Sequence, residues 1–312
     1  MENLILSFNV VLPLFLIMLL GYGLKNIELV DDKSLKVMNN LVFRIFLPLM
    51  LFKNVYKTDL KSVFNLKLTV FTLTGLLALY IVLFILIPII EKENKKRGVL
   101  IQAIFRSNFI IFGIPITISI LGENQAGVTS LLIAFVIPLY NLLSVIALET
   151  FRGGKLNLKK TLKGIVTNPL IIASLIGLLF IITDIKLPLV IEDTISDISG
   201  IATPLALIVL GGSFTFTAIK GNLKQILIGV IGKLFIVPLI FIPLSIYMGF
   251  RGTDLVTLMV LFAAPTAVSS FTMAQQMGAD SDLACQLVVF DSTLSILTIF
   301  LWVFSLMQLG FI

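Results

Sequence analysis

Four charged residues lie inside long apolar runs of this sequence: Arg44, Arg106, Lys233 and Asp291. A charge embedded in hydrocarbon is costly, so it pairs, lines an aqueous path or holds a ligand. Three cations and one carboxylate suit the binding of an organic anion together with exchange of a proton or small cation. Asp291 is too short to reach a membrane surface and is the coupling-ion candidate. Arg44, Arg106 and Lys233 have a second reading, since long basic side chains can snorkel to the interface. Arg106 leads directly into Ser107 and Asn108, with Gly113 and Pro115 following, and a second polar group comprises Pro265, Thr266, Ser269 and Ser270. Proline removes an N–H and clashes with the preceding turn, so a helix is predicted to break or kink at Gly113/Pro115 and at Pro265. Broken helices present N-termini that favour an anion and free carbonyls that favour a cation. The candidate substrate-binding residues are therefore Arg106, Ser107, Asn108, Gly113, Pro115, Pro265, Thr266, Ser269 and Ser270. Asn9, Asn40 and Asn141 are also embedded and are expected to bond neighbouring helices.

Other chemistries are excluded by what the sequence lacks. It contains no histidine and a single cysteine, Cys285. That rules out His-ligated metals, metalloprotease-type zinc sites, Ser-His or Cys-His nucleophiles and a disulfide. No catalytic residue, metal ligand or cofactor is assigned, although coupling to protons or sodium is compatible with Asp291. An enzyme would need paired carboxylates or a histidine motif. A channel would need a continuous polar stripe, whereas the polar residues cluster at two places. An anion channel or a small-molecule membrane receptor is the alternative to a carrier.

The elements that must position these residues follow from hydropathy. Of the 312 residues 58% are hydrophobic and 13% charged, and the mean hydropathy is +1.10. So much apolar surface must face lipid. Ten apolar runs are read as membrane helices: about 4–24, 35–55, 68–90, 99–121, 128–148, 165–183, 195–219, 226–250, 255–277 and 283–310. The first lacks the basic start of a signal peptide and is long enough to span. Unbroken runs without two-residue alternation are helices rather than barrel strands. With ten spans both termini share a side. One face then carries Lys25, Lys33, Lys36, Lys92, Lys95, Lys96, Arg97, Arg152, Lys155, Lys159, Lys160, Lys163, Lys220 and Lys224. The other carries only Lys53, Lys57, Lys61, Lys67, Lys186 and Arg251. The richer face is expected in the cytoplasm, which puts both termini outside the cell membrane. The net charge of +6 is thus a topology signal and not a nucleic-acid footprint.

A shift of 156 residues superimposes Pro13 on Pro169, Gly21 on Gly177, Pro48 on Pro204, Gly122 on Gly278 and Gly154 on Gly310. The chain is therefore read as two five-helix repeats, 1–154 and 155–312, within one membrane unit. An odd number of spans per repeat inverts the second copy, an arrangement typical of alternating-access transporters.

Several segments together resemble the auxin efflux carrier family, including its bacterial members. They are RSNFIIFGIP at 106–115, IPLYNLLSVIALE at 137–149, Asn168-Pro169 with SLIG at 174–177, SGIATPLALIVLG at 199–211 and APTAVSSFTMA at 264–274. The resemblance runs nearly end to end. It implies an all-α polytopic fold like that of the bile-acid sodium symporters, with helices 4 and 9 broken and crossing. It also implies elevator-like transport of an organic anion such as malate, malonate or indole acetate, with Asn108 and the two breaks at the substrate. The plant carriers have a second proline where this chain has Ser270 and a small residue where it has Asp291. They also have a long central loop, reduced here to about 149–164, so plant-type regulation and auxin itself are not expected. The expected partners are a small organic anion, the lipid bilayer and a second copy of the chain as a homodimer.

Overall fold

The structure is a computed structural model and describes residues 2–57, 65–122, 125–152, 158–183 and 185–312. Among them there are helices and no strands. In chain order they are α1 (Glu2–Asn26), α2 (Asp32–Tyr56), α3 (Leu66–Ile90), α4 (Asn94–Phe105), α5 (Phe109–Leu121), α6 (Ala126–Phe151) and α7 (Leu158–Val166). They continue with α8 (Pro169–Ile182), α9 (Leu189–Ser213), α10 (Ile219–Tyr247), α11 (Gly252–Ala263), α12 (Ser269–Gln276) and α13 (Ser281–Gln308). Six of these, α2, α3, α6, α9, α10 and α13, are long and apolar enough to cross a membrane, and α1, α5, α8 and α11 contribute shorter apolar stretches.

Each predicted run coincides with a helix or a helix pair, and the departures have local causes. The run at 165–183 is helical from Pro169, where the Asn168 side chain accepts a hydrogen bond from Leu170 N and proline begins the helix without needing a donor. The run at 195–219 forms a helix six residues earlier, over 189–213. Its polar first turns are held by α2, since Tyr56 donates to Glu192 at 2.7 Å and Lys53 to Ser196 at 2.8 Å. Asp31, Asn65 and Asp280 cap α2, α3 and α13 in the same way as Asn168.

The two predicted breaks are both present, but the first is misplaced in the sequence reading. The chain leaves the helix at Arg106–Asn108, and Gly113 and Pro115 lie inside α5. Pro115 is exposed on the outer side of that helix, where a missing N–H is tolerated, and Gly113 is buried against Thr129 and Phe109. The second break, at Ala264–Val268, contains Pro265 as expected. The half-helices leading into the breaks form the centre of the molecule. Every residue of Gly98–Phe105 in α4 and Leu255–Ala263 in α11 is buried, and a helix buried on all sides carries no polar face. By contrast α3, α8 and α10 expose rows of Leu and Ile, the surface a lipid would cover.

Around this centre, α1 packs along α9, and α8 packs along α2. Both contacts rest on glycine. A Cβ on Gly21 would lie 2.1 Å from Ile208 O, and one on Gly211 would lie 1.9 Å from Met18 O, so α1 and α9 touch backbone to backbone. A Cβ on Gly177 of α8 would lie 3.0 Å from Val55 Cβ of α2. Close approach at small residues is how apolar helices associate in lipid, where there is no hydrophobic drive between them.

Candidate functional site

The two breaks meet. Ser107 and Thr266 form an isolated antiparallel bridge, and Asn108 N donates to Pro265 O at 2.7 Å. Backbone that has left its helix needs partners when buried, and here each break supplies the other's. The crossing fixes the neighbouring side chains within a small cavity of about 50 Å³, room for a few water molecules.

Apart from Thr203, the polar groups of the lining come from the breaks, α12 and α6. Arg106, Ser107 and Asn108 come from the first break, Ser269 from the start of α12, and Asn141 from α6. The lining contributed by α2, α8 and α9 is apolar apart from Thr203, with Met50, Leu51, Leu170 and Ala206 among its residues. Residues Phe109–Ile111 also line it, so the N-terminus of α5 faces the cavity with no side chain capping it. The first N–H groups of a helix carry a partial positive charge and bind anions.

Arg106 dominates the site. It is 4% exposed, and one guanidinium nitrogen donates to Ser269 Oγ at 2.8 Å while the other reaches Met273 Sδ at 2.9 Å and Ser144 Oγ at 3.3 Å. Its Nε has no partner. Among the described residues the ion pairs are Lys25–Asp32, Lys96–Glu93 and Arg152–Glu149, and none involves Arg106. A buried guanidinium held only by neutral groups at a cavity wall has the charge and geometry to pair with a carboxylate.

Other residues in or beside the cavity have unmet hydrogen-bonding capacity. Asn108 Nδ2, Ser270 Oγ and both side-chain atoms of Asn141 have no protein partner. The expectation that Asn141 bonds a neighbouring helix therefore fails, whereas the adjacent Asn39, not Asn40, makes such a bond, to Thr272 O at 3.3 Å. Asn9 is exposed. An unsatisfied buried amide costs about 1–3 kcal/mol, so Asn141→Leu is expected to raise the thermal midpoint of the purified protein. If Asn141 serves a ligand, the same change weakens carboxylate binding; a lower midpoint would show that its amide has a structural partner.

The remaining predicted residues lie around the cavity. Ser107 hydrogen-bonds Tyr140 at 3.2 Å, and Pro265 lends its carbonyl to the crossing. Gly113, Pro115 and Ser270 do not line it. Thr266 lies behind, hydrogen-bonded to Ala103 O at 2.7 Å and to the Asp291 carboxyl. Asp291 and Lys233 are both completely buried, while Arg44 is exposed, which fits snorkelling for Arg44 alone of the three cations. Ser144 and Met273 were not anticipated. With Ile137 and Asn141, Ser144 makes an i, i+4, i+7 stripe on α6, a signal present in the sequence.

A family model described as membrane transport protein matches residues 6–157 and 155–303. An uncharacterized transporter of Methanocaldococcus jannaschii is 24% identical over 307 residues, covering 94% of this chain and 97% of that protein. A second uncharacterized transporter, from Methanothermobacter thermautotrophicus, is 25% identical over 300 residues, covering 95% and 97%. A protein of Rhizobium meliloti named "putative malonate transporter" is 23% identical over 300 residues, covering 93% of each chain.

Proposed function

The chain belongs to the membrane transport protein family, and from that premise we propose that it is a secondary carrier for a small mono- or dicarboxylate in the cytoplasmic membrane. The observation that carries this reading is Arg106: a buried cation without an acidic partner, at a cavity into which the α5 N-terminus also points. A substrate carboxylate would take the guanidinium, and Asn108, Ser269 and Ser270 would bind its remaining oxygens. The name of the Rhizobium relative makes malonate the first compound to try.

The division of the cavity supports an elevator-like motion. Its charged and amide groups ride on the crossing and α6, whereas the facing wall of α2, α8 and α9 is nearly all apolar. The crossing body would carry the anion past that wall, which stays as scaffold. Two glycine pairs fit the same picture and a proposed inverted repeat. Gly21 and Gly177, superimposed by the 156-residue shift, make corresponding close contacts, α1 on α9 and α8 on α2. Gly122 and Gly278, another superimposed pair, both have positive φ, 90° and 72°, just after α5 and α12. In this reading ten spans form two inverted five-helix repeats, 1–154 and 155–312, with both termini outside the cell. Asp291 would be the coupling site for a proton or cation.

A thermal-shift panel tests the substrate class. Malonate, succinate, malate and indole acetate are expected to include at least one stabilising compound, and Asn108→Ala with Ser270→Ala is expected to weaken its binding by about tenfold, the equivalent of one or two lost hydrogen bonds. If amines stabilise the protein and carboxylates do not, the anion reading is wrong. Saturable uptake into proteoliposomes separates a carrier from a channel.

A further inference from the structure

Behind the cavity, one hydroxyl holds two partners. With α4 ending at Phe105, the carbonyl of Ala103 lacks a helical N–H, and Thr266 Oγ1 fills that place at 2.7 Å. The same oxygen is hydrogen-bonded to Asp291 Oδ2. A threonine hydroxyl has one proton, and a main-chain carbonyl has none to give. With that proton committed to Ala103, the bond to Asp291 requires a proton from the carboxyl. The geometry is that of a carboxylic acid donating to Thr266, while its other oxygen, Oδ1, has no partner.

Lys233 stands nearby. It lies in a π-helical turn, Gly232–Ile236, within α10, a distortion frequent at functional positions. A Cβ on Gly229 would lie 2.3 Å from Leu287 Cδ2, which sets how closely α10 approaches α13, and Lys233 and Asp291 follow four residues later on the two helices. The ammonium is completely buried, and among the described residues its Nζ has no hydrogen-bond partner and no carboxylate within 4.0 Å. Lys233 is the charged residue of the π-helical turn that packs directly on α13. Lys95, Lys96 and Arg97 sit at the far end of α4, Arg106 turns into the cavity, and Asp254 of α11 bonds Asn65. Lys25 of α1 bonds Asp32, Glu192, Asp193 and Asp197 lie in the first half of α9, and α12 carries no charge. On α10 itself Lys220 and Lys224 lie in the first two turns, and on α13 Asp282 and Cys285 lie a turn or more before Asp291.

From this cluster we infer that Lys233, Thr266 and Asp291 form a proton-binding site in which Lys233 occupies the role of a coupling metal cation, making the protein responsive to protons and indifferent to sodium. A sodium ion would meet a fixed ammonium, and one carboxyl, one hydroxyl and one carbonyl are few oxygens for a hard cation. When the proton leaves Asp291 for water, the carboxylate left behind is compensated by Lys233 and accepts the Thr266 proton. Ala103 then loses its partner, three residues before Arg106. Proton occupancy is thereby linked to the shape of the first break. The site itself does not depend on the carrier reading; only its use in coupling does.

Infrared difference spectra of the purified protein in lipid, alkaline minus acidic, test the site without any substrate. A carbonyl band from a buried carboxylic acid is expected, lost in Asp291→Asn and shifted in Thr266→Val, with the same thermal midpoint in sodium chloride and choline chloride. Absence of that band, or a midpoint raised by sodium in the wild type but not in Asp291→Asn, overturns the inference. Where Lys233→Met alone folds poorly, the double variant Lys233→Met/Asp291→Asn removes both partners and is expected to recover the midpoint. A double variant no more stable than the single one overturns the pairing. If the band is present and no carboxylate is bound or transported, the carrier reading fails and the proton site stands.

Discussion

Arg106→Gln is expected to remove carboxylate binding almost completely while leaving the protein folded. Deleting one partner of a buried, hydrogen-bonded charge pair costs about 2–4 kcal/mol of binding, or roughly 30- to 1,000-fold in affinity. Glutamine can keep one hydrogen bond to Ser269 or Ser144 but supplies no charge. The unliganded variant is expected to melt at or above the wild-type temperature, because it no longer buries a cation whose partners are neutral. Arg106→Lys is expected to lie between the two: the charge remains, but an ammonium cannot span Ser269 on one nitrogen and Ser144 with Met273 on another. Malonate titrations followed by thermal shift and by proteoliposome uptake check all three. Wild-type affinity in Arg106→Gln would remove the guanidinium from the site.

Gly211→Ala is expected to be among the most destabilising single-methyl changes in the protein. The added carbon would sit 1.9 Å from Met18 O and 2.7 Å from Met18 C, against backbone that cannot rotate away. The helices must part, losing packing along α1 and α9, and such overpacking costs about 1–3 kcal/mol or more. Gly21→Ala, at 2.1 Å from Ile208 O, should follow closely, and Gly177→Ala, with 3.0 Å to a side chain, should cost less. Gly23→Ala meets nothing within 4 Å and is expected to be neutral or slightly stabilising, since alanine is the better helix former. Thermal midpoints in one detergent rank the four. Equal midpoints for Gly211→Ala and Gly23→Ala would mean that α1 and α9 do not touch as described.

Hydropathy made the helices legible because lipid-facing surface dominates their composition. α3 can be read from 23 residues without a charge. The breaks were only half legible. Pro265 marked the second because it lies in the gap between α11 and α12. The first gap contains no proline, only Arg106, Ser107 and Asn108, while Pro115 seven residues on is absorbed into α5. Local sequence could not distinguish a proline that ends a helix from one carried on its exposed side. Burial was not legible at all for Lys233 and Arg44. Both lie in π-helical turns within apolar helices, yet one faces the protein and the other faces out, and only tertiary packing decides that. Asn141 was visible but misjudged, because an amide in a span normally finds a neighbouring helix, and here it meets a cavity.

The unequal walls of the cavity have a consequence for how such a protein could change its diet. In the proposed carrier, charge recognition would rest on Arg106, Asn108 and the α5 N-terminus. The lining from α2, α8 and α9 would mainly set volume, through Met50, Leu51, Leu170 and Ala206. Exchanging those wall residues for smaller or larger ones would retune the permitted chain length of an acid without disturbing the groups that recognise it as an acid. Selectivity by size and selectivity by charge are thus separately adjustable.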